Sequence, residues 1–538
     1  MPTRPNFANR FDQALAGTFE AREKDWRNGA IVYQVLVDRF APSANLDAKR
    51  ALYPAPKTLR RWDETPKNGQ FVASANVWSH EIDFWGGDLA SLSGKLDYVQ
   101  QLGADVLYLN PIQLAYTNHK YDALDYLQIS PEYGTRDDLR ALAKNVHQRQ
   151  MKLVLDGVFN HMGRNSPIFK AAEAEFEAER AGRRAAPSPE RAPSGGGREA
   201  AGGTSYRDWF YFDKKMSTGV RVWANAKNLP EINLDLPAVQ QYVYAGKDSA
   251  VRSYLRDGID GWRLDVAHDI GFRPLQAITE AAHDEKPGSL VVGELWNYPQ
   301  EWFPSVDGVM NFTLREIILR SASQRLAPAA ASAMITRVVA DAGVENLLKS
   351  WLMLDNHDTD RLASSLPNPA QRHLAQVLQF TLPGAPNLYY GSELGMTGAG
   401  DPGMRAPMRW DLVTDANPEL KWTRQLIALR QQHRALRVGN YRAISSEKLI
   451  AFERTTDRAA DTVMVLVNPG SEAVNETVMV ANSKMMNYAP FHNLLHPGGP
   501  VPTMLASLME VNLPPHGVLL LAPNVDPKDG YTVYKRVQ

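Results

Sequence analysis

Eight short apolar segments recur along the chain, each followed by a polar cluster and then by a longer pattern with helical spacing. They are AIVYQVLVDRF from Ala30, DVLYLNP from Asp105, KLVLDGVFNH from Lys152, GWRLDVAH from Gly261, SLVVGELW from Ser289, DGVMNF from Asp307, SWLMLDNHD from Ser350 and PNLYYGSE from Pro386. Stretches between them, such as DLRALAKNVHQRQ and PLQAITEAAHDE, space their apolar residues as helices do. Buried strands alternating with helices argue for a parallel sheet. Eight such strands are what a closed (β/α)8 barrel requires.

Two regions break the rhythm. From about His161 to Gly258 the gap is too long for one helix and contains KAAEAEFEAERAGRRAAPSPERAPSGGGREAAGG. Its Ala/Glu/Arg half suits a helix, and its Pro/Ser/Gly half is expected to be mobile. From about Val438 the helical spacing stops and strand-like runs such as DTVMVLVNPG and HGVLLLAP appear. The expected fold class is α/β: a TIM barrel from residues 1–160 and 259–436, a subdomain at 161–258 inserted after strand 3, and a C-terminal β-sandwich at 437–538.

The bulk properties exclude several functions. A chain of 538 residues with 44% hydrophobic and 22% charged residues and a formal net charge of -1 has no electrostatic reason to bind nucleic acid or an acidic membrane. No apolar run approaches the roughly 18 residues that span a bilayer. The start, MPTRPNFANRFDQ, lacks the apolar core of a signal peptide, so the expected location is cytoplasmic, or periplasmic or secreted if a leader was removed. With no cysteine, disulfides, thiolate metal sites and cysteine nucleophiles are excluded. The 12 Trp, 20 Tyr and 17 Phe suit sugar rings and protein cores alike.

In a strand, side chains alternate between faces, so Trp262 and Leu264, with Val266, share one face while Arg263 and Asp265 share the other. Helices cover the outside of a parallel barrel, which turns Arg263 and Asp265 inward. Polar residues near the C-terminal ends of the strands sit at the mouth: Asp156, Asn160 and His161 on strand 3, Arg263 and Asp265 on strand 4, Glu294 on strand 5, His357 and Asp358 on strand 7. A lone aspartate at a strand end is more often a cap or part of an ion pair. Four segments delivering carboxylates to one rim point instead to glycoside hydrolysis, which pairs an acid with a nucleophile or base. Arg263 would lower the pKa of Asp265 and keep it ionised. The apolar run around Glu294, with a negative charge nearby, would keep that carboxyl protonated as a general acid.

DGVFNH, GWRLDVAH, GELW and DNHD, in this order, resemble the four signature regions of the α-amylase family of glycoside hydrolases. The resemblance spans roughly Ala30 to Leu436, and the β-rich tail suits the family's C-terminal domain. It implies a retaining mechanism with Asp265 as nucleophile, Glu294 as acid/base and Asp358 as the third carboxylate, which binds sugar hydroxyls. Arg263, His161 and His357 would contact the sugar in the cleavage subsite. In HKYDALDY, Tyr121 matches the family's stacking tyrosine, and Asp122 follows it. Trp296 is placed to stack beyond the cleaved bond, and His268 to touch a leaving-side sugar. Trp85, Trp209 and Trp223 are subsite walls or ordinary packing.

HKYDALDYLQISPEYGT, DGVMNF and YYGSELGMTGAGDPGMRAPMRWD look most like the neopullulanase, cyclomaltodextrinase and maltogenic amylase group. The implied substrates are α-1,4-linked maltooligosaccharides, cyclodextrins or starch. Only about thirty residues precede the first strand, where that group usually carries an N-terminal domain that helps build a dimer, so monomer and homo-oligomer both stay open. No cofactor is required for the chemistry. A structural Ca2+ is implied at two places: Asn160, which in many relatives joins a residue at the position of Glu231, and a loop pairing Asn45 and Asp47 with Gly86 and Asp88. The alternatives are that Asn160 hydrogen-bonds the inserted subdomain and that Asp88 caps a helix. Rival functions are an α-glucosidase or glucosyltransferase acting on maltose or sucrose, and a non-catalytic partner that kept the barrel; the three retained carboxylates speak against the latter.

Overall fold

The computed structural model describes residues 10–182, 205–488, 490–526 and 530–534. Each of the eight apolar segments contributes a strand: β1 Val32–Val35, β2 Val106–Leu109, β3 Lys152–Gly157, β4 Gly261–Leu264, β5 Leu290–Leu295, β6 Gly308–Asn311, β7 Trp351–Met353 and β8 Ala385–Tyr389. They pair in chain order, all parallel, and β8 returns to β1 through Val32↔Asn387 and Tyr33↔Leu388, which closes the barrel. Alternation sorts their side chains. Val32, Val106, Tyr108, Val154, Val292, Met310 and Trp351 fill the interior as one cluster, against which Trp26 packs from below β1. Trp262 and Leu264 belong to the cluster between barrel and helices. Gly261 has to be glycine, because a Cβ there would lie 2.2 Å from the carbonyl oxygen of Leu290.

The helices form for local reasons. In Arg136–Gln148, Thr135 and Asp138 make a capping box, and Leu139, Leu142, Ala143 and Val146 make the buried stripe. The passage from β5 to β6 departs from the expected alternation: it is made by a single 3-10 turn, Gln300–Trp302, rather than a helix. A third excursion also exists besides the two expected. The connection from β1 to β2 carries an antiparallel pair, Phe71–Val72 with Val77–Trp78, over a small core of Tyr53, Ala75, Val77, Ile82 and Phe84. Asp38, just after β1, accepts the N–H groups of Trp85 and Gly86 at 3.1 and 2.9 Å and ties the end of this excursion to the barrel.

After β3 the chain forms the expected helix, Pro167–Arg180, in the first half of the Ala/Glu/Arg-rich stretch; the second half, expected to be mobile, lies outside the described residues. At the C-terminal end a five-stranded sheet, β9 Asn440–Ala443, β10 Ile450–Thr455, β11 Val463–Val467, β13 Phe491–Asn493 and β16 Val518–Pro523, faces a three-stranded one, β12 Val474–Met479, β14 Met504–Leu505 and β15 Leu508–Leu513. A second core lies between them. Arg454 on β10 is fully buried and donates to the carbonyls of Thr381 at 2.6 Å, Gly439 at 2.7 Å and Asn440 at 3.2 Å. Those bonds sew the sheet to the ends of the last barrel helices. Among the described residues no helix is long and apolar enough to cross a membrane.

Trp351 lies 4.9 Å from the ring of Tyr108 inside the barrel. Trp351→Ala should therefore lower the unfolding free energy by about 3–5 kcal/mol, read from the urea midpoint. A loss below about 1 kcal/mol would mean that the interior is not close-packed there.

Candidate active site

Arg263 is wholly buried, and carboxylates from three neighbouring strands meet it. The register sets it beside Asp156 of β3 and Val292 of β5. Its Nη1 donates to Asp156 Oδ1 at 2.7 Å and to Asp265 Oδ1 at 2.9 Å. Its Nη2 lies 2.9 Å from Glu294 Oε2 as an ion pair; no hydrogen bond forms there. β4 ends at Leu264, so Val266 does not continue the extended face expected of it. Its φ of 40° and ψ of 50° are left-handed, an outlier for a β-branched residue. That turn aims the Val266 N–H at Glu294 Oε2, 2.9 Å away. Trp296 Nε1 donates to the other oxygen, Oε1, at 3.0 Å. Glu294 is thus met by N–H donors on both oxygens, where apolar neighbours and a nearby negative charge were expected.

The charge balance differs from expectation. Burial pushes Asp265 well above the usual carboxylate range; Arg263 opposes this, while Glu294, Asp156 and Asp358 add to it. Burial also raises Asp156, against Arg263 and the hydroxyls of Tyr108 and Tyr121. One guanidinium faces three carboxylates, so full ionisation would leave two negative charges uncompensated in a dry site. That imbalance adds to the burial that raises Asp265 and Asp156, where a lone Arg263–Asp265 pair would have lowered the aspartate.

A second network sets the facing wall. Gln34 and Asn110 both point side-chain N–H groups at His357 Nδ1, at 2.9 and 3.2 Å. Nδ1 is thereby the acceptor and Nε2 carries the hydrogen, 2.6 Å from Tyr121 Oη and 3.0 Å from Asp358 Oδ2. Tyr121 in turn donates to Asp156 at 2.9 Å and stacks on His357 with the rings 2° from parallel. Burial, followed by the charges of Arg405 and Arg263, holds His357 well below the ordinary imidazole range. Arg405 pairs with Asp358 at 3.2 Å and donates to the His357 carbonyl at 2.8 Å.

These groups share a cavity of about 740 Å³ lined by Tyr121, His161, Asp265, His268, Glu294, Trp296, Asp358 and Arg405, among others. Arg263 and His357 lie beneath it. Trp296 stacks on Phe312 at 3.7 Å and is half exposed. Of the other tryptophans, Trp223 lines the cavity and stacks on His161, whereas Trp85 and Trp209 are buried in packing. Asp122 is not in the cavity: its buried carboxylate accepts from the Thr117 N–H at 3.1 Å and the Thr117 hydroxyl at 2.5 Å, and orders the loop. Gln34, Asn110, Tyr108 and Arg405 were not singled out from sequence. Gln34 and Tyr108 did carry a signal, being polar residues on the inward parity of otherwise apolar strands.

Residues 34–435 match the family model described as Alpha amylase, catalytic domain. The chain belongs to the α-amylase family. It is 30% identical over 459 residues to a cyclomaltodextrinase of a Bacillus species, covering 82% of this chain and 73% of that one. It is 31% identical over 457 residues to the intracellular maltogenic amylase of Bacillus subtilis, covering 82% and 68%. The ligand-free cyclic alpha-maltosyl-(1-->6)-maltose hydrolase from Arthrobacter globiformis superposes with a TM-score of 0.72 at 29% identity, over 93% of this chain and 99% of that one. This α-amylase family member is accordingly a glycosidase.

Around the residues expected to hold calcium, the carboxylates pair with basic side chains of the chain. Asp88 pairs with Lys49 at 2.7 Å and caps helix Leu89–Ser93 through the Ser91 N–H. Asp47 is exposed and pairs with Arg50 at 2.8 Å, Asn45 accepts the Ala48 N–H at 3.3 Å, and the Gly86 N–H is taken by Asp38. At the other place Glu231 pairs with Arg221 at 2.5 Å. The carbonyl of Asn160 accepts the Ile232 N–H at 3.1 Å, joining the loop after β3 to the inserted segment, while its side chain lies 3.4 Å from His161 Nδ1. Ammonium and guanidinium groups of the chain itself meet all three carboxylates, and among the described residues no group of three or more His, Cys, Asp or Glu side chains is placed to hold a metal ion.

Two outcomes follow. Dialysis against a chelator should leave the thermal midpoint in place while Lys49→Met lowers it; a chelator-induced drop would reveal a cation site built from other groups. Burial pulls the His161 imidazole from 6.5 to about 4, so between these values the folded protein binds fewer protons than the unfolded chain. Stability should fall as pH drops from 6.5 towards 4. His161→Gln should flatten that part of the stability curve, and an unchanged slope would count against a neutral His161.

Proposed function

We propose that this protein is a retaining α-glycoside hydrolase that cleaves α-1,4-glucosidic bonds in maltooligosaccharides, cyclodextrins or starch through a covalent glucosyl-enzyme. The observation that carries this is the seating of Asp265 and Glu294 on adjacent nitrogens of one buried guanidinium at the floor of the cavity. So close an anchor suits the carboxyl spacing of about 5–5.5 Å used for retention, rather than the 6.5–9.5 Å that leaves room for a water.

In the first step Asp265 attacks the anomeric carbon, the glycosidic C–O bond breaks, and Glu294 gives its proton to the departing oxygen. Arg263 loses no charge in the step and keeps both carboxylates in register. Asp358, about a third exposed and braced by Arg405 and His357, accepts hydroxyl hydrogens of the sugar being cleaved. The His357 Nε2–H supplies a fixed donor beside it. In the second step Glu294, now ionised, takes a proton from water, which displaces Asp265; a sugar hydroxyl in place of water gives transglycosylation. Cyclic and short α-glucans are the favoured substrates, as the names of the relatives suggest. A cytoplasmic location accords with the relative named as intracellular.

A chromatographic time course on β-cyclodextrin, soluble starch, maltotriose and sucrose should give fast cyclodextrin opening and slower starch attack. Glucose from maltotriose or sucrose alone would make it a glucosidase or transferase instead. Glu294→Gln should lose about 10²–10⁴ in kcat, with much less loss on α-glucosyl fluoride, whose leaving group needs no proton. Initial products should have the α configuration by proton NMR; β products would overturn the retaining mechanism.

A further inference from the structure

The connection from β1 to β2 brings two large aromatic rings to the catalytic cavity. Phe71 and Trp78 are direct partners across the antiparallel pair, with ring centroids 5.7 Å apart and planes at 72°. They are 51% and 49% exposed, and both line the cavity. Other residues of the same hairpin turn away: Ala75 and Val77 are buried with Tyr53, Ile82 and Phe84. The outer face therefore stands on a core of its own. Its backbone is held as well. Glu81 accepts the Trp78 N–H at 2.5 Å, and the Asn165 side chain donates to the Ala75 carbonyl at 3.5 Å, linking the turn to the segment after β3. An exposed aromatic pair at the edge of the cavity is apolar surface that a ligand's apolar face would cover.

Two paths of contact locate this ledge relative to the cleaved bond. Trp78 stacks on His80 and shares the cavity lining with Asp401 and Arg405, and Arg405 bridges Asp401 and Asp358 at 3.5 and 3.2 Å. Glu81 lies 3.3 Å from His119, which stacks on Tyr121, which stacks on His357. Both paths end on the wall of His357 and Asp358. Glu294 instead neighbours Trp296 and Val266. Because Glu294 protonates the leaving oxygen, the leaving sugars lie towards Trp296 and the retained part of the substrate lies towards the hairpin.

We propose that Phe71 and Trp78 form a stacking subsite for glucosyl units one or two beyond the cleaved one on the retained side, selecting α-glucans long enough to reach it. This rests on the glycosidase reading above. The axial C–H faces of a pyranose are apolar and match an aromatic face. Two rings set at 72° offer surfaces at an angle, which suits a chain that curves as α-1,4-linked glucose does.

The test compares Trp78→Ala and Phe71→Ala with wild type on maltoheptaose and on α-glucosyl fluoride, which is too short to reach the hairpin. On maltoheptaose kcat/KM should fall about tenfold further than on the fluoride, mainly through KM; equal falls would overturn the subsite. Trp78→Phe, which keeps an aromatic face, should recover most of the loss and keeps the test sound if an alanine variant does not fold. Calorimetric binding of maltoheptaose to Asp265→Asn protein, with and without Trp78→Ala, separates the subsite from the catalytic assignment. Weaker binding on adding Trp78→Ala supports the subsite even where no hydrolysis is found, and undiminished binding overturns it whatever the activity.

Discussion

Everything at the mouth of the barrel is arranged around the charge of Arg263. Burying a guanidinium costs several kcal/mol, and only close, well-aimed carboxylates offset that cost. Three strands supply them: Asp156 from β3, Asp265 from the end of β4 and Glu294 from β5. The arrangement works in both directions. Each carboxylate is too buried to stand alone, and together they exceed what one cation can balance. That excess, added to burial, holds Asp265 and Asp156 above the usual carboxylate range rather than leaving a set of neutralised pairs. Asp156 takes no part in bond breaking, yet it accepts from Tyr108, Tyr121 and Arg263 at once, and so couples the floor of the cavity to the wall of Tyr121 and His357.

Strength of pattern decided what could be read from the chain. The eight strands were legible because each is a short apolar run, and Arg263 with Asp265 because period-two alternation leaves only the interior for them. Glu294 and Asp358 were legible as polar residues at the ends of such runs. The resemblance to the α-amylase family added their roles, not their positions. What alternation cannot reveal is where a strand stops. Val266 looked like one more outward residue, but its left-handed turn carries an N–H into the site. Asp122 illustrates another limit, since a carboxylate beside a site tyrosine has the same one-letter neighbours whether it faces the sugar or, as here, Thr117.

Contacts between residues far apart in sequence were invisible for a simpler reason. Lys49 meets Asp88 only after the loops fold, so nothing local shows that a carboxylate read as a calcium ligand pairs with an ammonium group of the chain. Gln34 and His357 are separated by 323 residues, and nothing local in QVLVDRF indicates that its glutamine selects the tautomer of a histidine near the other end of the barrel. The aromatic hairpin was missed because FVASANVW has the weak alternation of any short β-ribbon. Its meaning lies in which side of the ribbon is buried.

The stitching by Arg454 bears on how the chain comes to be folded. The last barrel strand is complete at Tyr389, and its pairing with β1 closes the ring. The carbonyls of Thr381, Leu436 and Gly439, however, take their side-chain donors from a residue on the second strand of the C-terminal sheet. On a ribosome those acceptors stay bonded to water until Arg454 emerges, some sixty-five residues after the ring could close. Multidomain chains commonly finish one unit before starting the next. Here the barrel and its β-rich tail share a boundary that neither can complete alone, which makes late translation, rather than ring closure, the moment at which the enzyme becomes a finished body.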